Sequence, residues 1–536
     1  MKKIVSLLFL LSAITSAFAR DFYVRNPAID VERYRYFIDL NDQNMQIKVK
    51  ALVNIRSLQS VNEIVLDLGG VDASGKGMRV TAVTLANREL INQQLGDKLK
   101  IQLPETTTAK GELELAIQYE GEPRSGLHIS KNKYGDRVFF ADNWPDQGRQ
   151  WLASVDHPSD KAAVEFIVSA PDHYAVVANG LKIEESSLAD GRKLTHWRED
   201  VAIPVKVMVI GVARFAMQES AKLNDVSITS WVFPQNRSEG FYDYSVAVRA
   251  LDYFQKNIGP YPYKKLANVQ SKTRFGGLEN ANTIFYFENS VTGKGEQEAL
   301  IAHEIAHQWF GNSATENDWH HVWLSEGFAT YFTNLYLEHT YGRERFVKQQ
   351  LANRDKVIRY HQKVVRPIVD VSIEDPKNVL SPNTYEQAGW VLHMLRQELG
   401  DELFWQGIRH YYAKFAGKNA MSADFQASME QVSGKDLSKF FQQWLYQAGY
   451  PKLAVQWKYD GLKKELQLKI EQLQPQAQFD FPLEFATQGS AAQFQLHTVR
   501  IQNKINEFKF PMQSAPKSLS LDPMVKLLFE AKIEQK

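Results

Sequence analysis

Leu300-Ile301-Ala302-His303-Glu304-Ile305-Ala306-His307-Gln308-Trp309-Phe310-Gly311 is the most informative run in this chain of 536 residues. Its apolar helical pattern carries two imidazoles four positions apart, so one helical turn stacks both on one face within reach of a single ion, with Glu304 alongside. H-E-x-x-H is the arrangement in which two neutral histidine nitrogens bind zinc and the glutamate serves as general base. A zinc that does chemistry needs a third protein ligand and one open position for water. Nineteen residues after His307 stands Glu326, in Val322-Trp323-Leu324-Ser325-Glu326-Gly327-Phe328-Ala329. This is a second apolar helical stretch, where a buried carboxylate needs a partner and zinc would be one. The chain has no cysteine, so any metal is held by nitrogen and oxygen, with no disulfide framework or thiolate nucleophile.

The texture on either side of this run differs. From Asp21 to Phe215 short alternating runs dominate, such as Ile47, Val49, Ala51, Val53 and Ile55, interrupted by Gly-rich turn clusters. Helical periodicity takes over near Ser238 and holds to about Tyr446. After Gly449-Tyr450-Pro451 alternation returns, with Leu466, Leu468, Ile470 and later Phe494 and Leu496 expected on one face. The reading is a multidomain α+β chain: an N-terminal β-rich domain at 20–217, a mostly helical catalytic domain at 218–447 and a small C-terminal β-sandwich at 448–536.

Residues 1–19 read as a bacterial-type secretory signal peptide. Lys2 and Lys3 form a basic start, Ile4 to Ile14 an apolar segment, and Ala17-Phe18-Ala19 a cleavage site. A periplasmic or secreted protein, cut after Ala19, is expected, with no membrane span, because the apolar run is shorter than the ~20 residues a spanning helix needs. With 63 Lys+Arg against 62 Asp+Glu, the chain carries no electrostatic footprint for nucleic acid. Its 11 Trp, 22 Tyr and 30 Phe exclude an aromatic-poor disordered polymer.

The H-E-x-x-H, 18 residues, Glu pattern, together with Gly276-Gly277-Leu278-Glu279-Asn280, resembles the M1 family of zinc aminopeptidases, gluzincins that include leukotriene A4 hydrolase. His307 to Asn312, Trp323 to Ala329 and Tyr385-Glu386-Gln387-Ala388-Gly389 are similar to further family segments. Arg149, Asp156, Pro158 and Lys161 are similar to its R…D-x-P-x-x-K stretch, and Trp444 to Pro451 to the exit of its catalytic domain. The resemblance implies a thermolysin-like catalytic domain with one Zn2+ per chain, held by His303, His307 and Glu326. It implies Glu304 as general base, Tyr385 as donor to the oxyanion, and Glu279 as the group that binds a substrate's free α-ammonium. Gly276 and Gly277 would let an extended peptide approach the backbone, with Asn280 completing the segment. The implied partners are peptides with a free N-terminus, and the implied state is a monomer. Many members carry a large C-terminal helical domain for which 536 residues leave no room, which implies a less enclosed site.

Three positions depart from the family pattern. Trp144, in Asn143-Trp144-Pro145-Asp146, stands where a Glu or Gln usually helps to hold the amine, so that either Asp142 or Asp146 substitutes or Glu279 acts alone. Leu278 replaces a methionine of the first-residue pocket, and Thr333 replaces a frequent glutamate. Structural roles are expected for His157, for His393 and for His320-His321, the last read as a surface pair. Competing readings are an endopeptidase or epoxide hydrolase on the same metal, and a non-catalytic peptide-binding protein, against which the full ligand set speaks.

Overall fold

Strand Ile47–Ser57 shows how the N-terminal sheet forms. Ile47, Val49, Ala51, Val53 and Ile55 are buried while Lys48, Lys50 and Arg56 are exposed, the period of two that covers one sheet face. The computed structural model describes residues 22–489 and 494–536, so the expected signal peptide at 1–19 lies outside the described residues. Ile47–Ser57 pairs antiparallel with Ile29–Asp39 and with Glu112–Glu122, and Ile29–Asp39 pairs in parallel with Lys161–Pro171. These strands form the middle of an eight-stranded sheet, accompanied by smaller sheets of three and four strands.

At Ala216 a five-stranded sheet begins, ordered Ala216–Leu223, Val226–Val232, Lys265–Ser271, Thr283–Phe287, Gly277–Leu278. Helices therefore do not dominate the start of the catalytic region as the periodicity suggests. Lys265–Ser271 lies between two parallel neighbours and is buried at every position, so it shows no alternation to read. Gly277–Leu278 is the short edge strand, antiparallel to Thr283–Phe287.

Helices follow: α1 (Arg237–Tyr244), α2 (Ala247–Asn257), α3 (Glu298–Ala306), α4 (Trp323–Tyr341), α5 (Arg343–His361), α6 (Ala388–Leu399), α7 (Asp401–Phe415), α8 (Ser422–Ser433) and α9 (Ser438–Phe441). A π-helical turn, Asn383–Gln387, leads into α6. Helix α4 is the hub, packed against α3, α5, α6 and the π turn. Its close approach to α6 depends on Gly327, where a Cβ would lie 2.5 Å from that of Ala388. Among the described residues no helix is long and apolar enough to cross a membrane.

The C-terminal unit is two facing sheets of four and three strands, joined across their interface by contacts such as Phe485 to Phe510, with ring centroids 5.2 Å apart. Leu466, Leu468 and Ile470 are buried as expected. Phe494 and Leu496 are not on that buried face. They are exposed on Phe494–Ile501, the edge strand of the three-stranded sheet, and the opposite parity, Val499 and Ile501, faces inward. The architecture as a whole is the multidomain α+β arrangement read from the sequence: β-rich N-terminal domain, mostly helical catalytic domain and C-terminal β-sandwich.

Candidate metal centre and active site

His303 lies in the last turn of α3, His307 caps that helix, and Glu326 sits in the first turn of α4. A carboxylate there is stabilised by the N-terminal end of the helix dipole. His303 Nε2 and His307 Nε2 are 3.1 Å apart, and Glu326 Oε2 is 3.4 and 3.2 Å from them. These separations match the edge of about 3.3 Å expected between ligands of a tetrahedral ion bound at about 2.0–2.1 Å. Among the described residues this is the group of three His or carboxylate side chains able to hold a metal.

Proton bookkeeping makes the case for a cation. His307 Nδ1 is 3.1 Å from the Phe310 carbonyl, which only accepts, so Nδ1 carries the proton and Nε2 presents a lone pair. Ser325 Oγ, 3.0 Å from the same Nδ1, fixes the ring from a second direction. Glu326 Oε2 is buried without a hydrogen-bond partner. Acceptors thus converge on one point, and a metal ion satisfies them all. Burial disfavours a charge on His307, yet the Glu326 carboxylate outweighs it and raises the imidazole above its ordinary value, so the point favours a positive charge, which a metal ion supplies in place of a proton on Nε2.

Glu304 faces the same cavity, of about 390 Å3, and is buried; that burial pushes its carboxyl well above the usual range. Gly277 packs directly on it, since a Cβ there would lie 2.7 Å from Glu304 Cγ and closer still to the carboxylate. Tyr385 comes from the π turn, a distortion frequent at functional sites. Its ring stacks on His303 at 6.1 Å, and burial followed by the Glu326 charge raises its phenol well above the ordinary value.

Glu279 also lines the cavity, buried, with Oε1 lacking any partner. Its backbone carbonyl accepts hydrogen bonds from Gln308 Nε2 (2.8 Å) and Asn312 Nδ2 (2.5 Å), and Gln308 Oε1 accepts from the Asn282 amide (2.7 Å). The residues just after α3 therefore fix the edge strand relative to the candidate metal ligands. Lys161 of the N-terminal sheet donates to the carbonyls of Asn312 (3.2 Å) and Ser313 (2.7 Å), and burial lowers its amine to about 7. Arg149 and Asp156 pair with each other at 3.1 Å.

The candidate residues His303, Glu304, His307, Glu326, Tyr385, Glu279, Gly276 and Gly277 all line this one cavity. Asn280 does not, although it is buried. Asp142 is turned to Arg274 (3.3 Å) and His128 (3.5 Å), and Asp146 to Gln147 and Arg149, so neither reaches the cavity. Of these three carboxylates, Glu279 is the one that lines the cavity. Trp144 and Thr333 line the cavity. His320 and His321 are buried rather than a surface pair: His320 Nε2 bonds the Ile373 carbonyl and His321 Nδ1 the Ser422 hydroxyl. His157 bonds Ser159 and His393 bonds Val525 and Tyr331, structural roles as expected. Sequence reasoning missed Ser325 as the partner of His307, although its position beside Glu326 was a signal. Phe275, which also lines the cavity, offered none.

Comparison with known proteins agrees with this geometry. The peptidase family M1 domain matches residues 242–444, and the peptidase M1 N-terminal domain matches residues 31–205. The chain belongs to peptidase family M1. It is similar to a protein described as probable aminopeptidase 2 of Sulfurisphaera tokodaii, 25% identical over 451 residues, covering 80% of this chain and 55% of that protein. The leucyl aminopeptidase of Saccharolobus solfataricus is 23% identical over 449 residues, covering 80% and 54%. Among solved structures, Legionella pneumophila aminopeptidase A in complex with aspartic acid superimposes with a TM-score of 0.83 over 96% of this chain and 60% of that one, at 18% identity. The chain thus spans about half the length of these sequence relatives.

Proposed function

We propose that this chain is a zinc-dependent aminopeptidase that hydrolyses the first peptide bond of peptides with a free N-terminus. The observation that carries the reading is the convergence, in one cavity, of the His303, His307 and Glu326 acceptors, the Glu304 carboxylate and the unpartnered Glu279 oxygen.

His303, His307 and Glu326 would hold one zinc, which when bound lowers the pKa of water and polarises a carbonyl. Glu304 takes the proton of the attacking water and delivers it to the leaving amine. Glu279 binds the α-ammonium and so limits cleavage to the first residue. The phenol of Tyr385 donates to the oxyanion as charge develops. Gly276 to Leu278, a free sheet edge, pairs with the extended substrate backbone. The basic start, apolar segment and Ala17-Phe18-Ala19 of the sequence support export with cleavage after Ala19.

The test is hydrolysis of one peptide in unblocked and N-acetylated form by the purified protein. Release of the first residue from the unblocked form alone is expected. Equal rates on both forms would refute the exopeptidase reading.

A further inference from the structure

Trp144 stands where the sequence pattern leads one to expect an amine-binding side chain, yet it presents an apolar ring to the cavity. Its indole is buried and packs edge-on against Trp319, with centroids 5.3 Å apart at 70°, and against Phe275, at 6.5 Å and 74°. Trp319 in turn lies under the Lys206 ammonium at 5.4 Å, and Lys206 is itself fully buried in an ion pair with Glu316. The indole therefore has a fixed backing. Phe275 is 38% exposed, an apolar ring turned toward the cavity mouth rather than into the core.

Chain geometry links this wall to the substrate. Phe275 leads directly into Gly276 to Glu279, and a first side chain branches from the carbon that bears the ammonium held by Glu279. It must therefore fall beside the same strand, where Leu278 is also buried. Charge points the same way. Among the described lining residues, apart from His303 and His307 of the candidate metal centre, the only basic side chain is Lys356, which comes from α5 and is paired with Glu386 at 2.8 Å. At the Trp144 end Glu279 is committed to the ammonium, and the Arg274 guanidinium, 5.6 Å from the Phe275 ring centroid, is paired with Asp142 at 3.3 Å. A charged first side chain would find no unpaired counter-charge there, since Arg274 is held by Asp142 and Lys356 by Glu386, and a small one would leave the aromatic wall uncovered.

Building on the aminopeptidase reading, we propose that Trp144, with Phe275 and Leu278, determines first-residue specificity, and that the site selects large apolar, above all aromatic, first side chains. Aromatic rings meet Trp144 and Phe275 in edge-to-face contact, the geometry such pairs favour.

The test compares kcat/KM for phenylalanyl, leucyl, alanyl, arginyl and glutamyl chromogenic amides on the wild-type chain and on Trp144→Ala, Trp144→Phe and Phe275→Ala. In parallel, calorimetry measures binding of L-phenylalaninamide, L-alaninamide and L-argininamide. The wild type is expected to favour phenylalanyl and leucyl over alanyl, arginyl and glutamyl substrates by roughly tenfold or more, the scale on which apolar pockets discriminate. The phenylalanyl-to-alanyl ratio should fall roughly tenfold in Trp144→Ala, persist in Trp144→Phe, and fall in Phe275→Ala, whose partly exposed ring can be removed with little demand on folding. Hydrolysis that is as fast on arginyl, glutamyl or alanyl substrates, or a ratio unchanged in both alanine variants, would overturn the specificity proposal and leave the aminopeptidase reading standing. No hydrolysis, but phenylalaninamide bound selectively and released by Trp144→Ala, would sink the aminopeptidase reading and support the pocket. Binding without preference would overturn the pocket.

Discussion

Gly277 and Glu304 share one space: the edge strand passes so close to the metal helix that a Cβ on Gly277 would fall within the glutamate side chain. The strand proposed to receive the substrate and the residue proposed to handle the proton are thus mutually positioned. Gly277→Ala is expected to lower kcat by roughly 10²-fold, the scale of a 1 Å displacement in an active site, without loss of bound metal. Gly276→Ala, whose Cβ would meet Leu300 methyls at 3.7 and 3.8 Å, should stay within a few-fold of wild type. Paired steady-state kinetics and metal analysis check both; equal effects at the two glycines would contradict the account.

Tyr385→Phe removes one hydroxyl from a ring otherwise fixed by its stack on His303. Loss of an oxyanion donor costs roughly 10²–10³ in kcat. The expected signature is a fall of that size in kcat with KM and metal content nearly unchanged, read from full kinetic curves. A change confined to KM would assign Tyr385 to ground-state binding instead.

Ser325→Ala deletes one of two groups that orient His307 and leaves the Phe310 carbonyl in place. Partners of this kind are worth about 10–100-fold in metal affinity. Because one remains, roughly tenfold weaker zinc binding is expected in a chelator competition.

These roles were unequally legible in the sequence. The candidate metal ligands were clear because i and i+4 on one helix is a local relation, and Glu326 lies in the first turn of the next long helix. Strands with one solvated face, such as Ile47–Ser57, were clear because their alternation is a direct image of burial. Lys265–Ser271 was not, because a strand buried on both faces has no period. Nor could the parity of the edge strand Phe494–Ile501 be read, because both of its faces carry apolar residues. Trp144 registered only as a departure from a pattern, since its meaning depends on Phe275 and Trp319, which tertiary contacts alone bring to it.

His393 gives a pH dependence of stability. It is fully buried in α6, with Nε2 2.9 Å from the Val525 carbonyl of the C-terminal unit and Nδ1 3.0 Å from the Tyr331 hydroxyl. Burial, reinforced by Arg343 and Arg396 against the pull of Val525 and Asp401, lowers its pKa to about 3. The folded value lies below the unfolded value of about 6.5, so the neutral imidazole's contribution is complete above pH 6.5. It is lost progressively as pH falls from 6.5 toward 3, on the order of a few kcal/mol in all. The melting temperature of wild type should therefore fall more steeply between pH 7 and 4.5 than that of His393→Gln. Parallel curves would show that the residue does not titrate this way.

Zinc titration of chelator-treated protein, followed by release of the first residue from an unblocked peptide, tests the central assignment most directly. Activity is expected to vanish with the metal and to return linearly up to one zinc per chain. Glu304→Gln, whose side chain is outside the ligand set, should bind the same one equivalent and remain inactive. Turnover by Glu304→Gln, or activity indifferent to metal removal, would contradict the assignment.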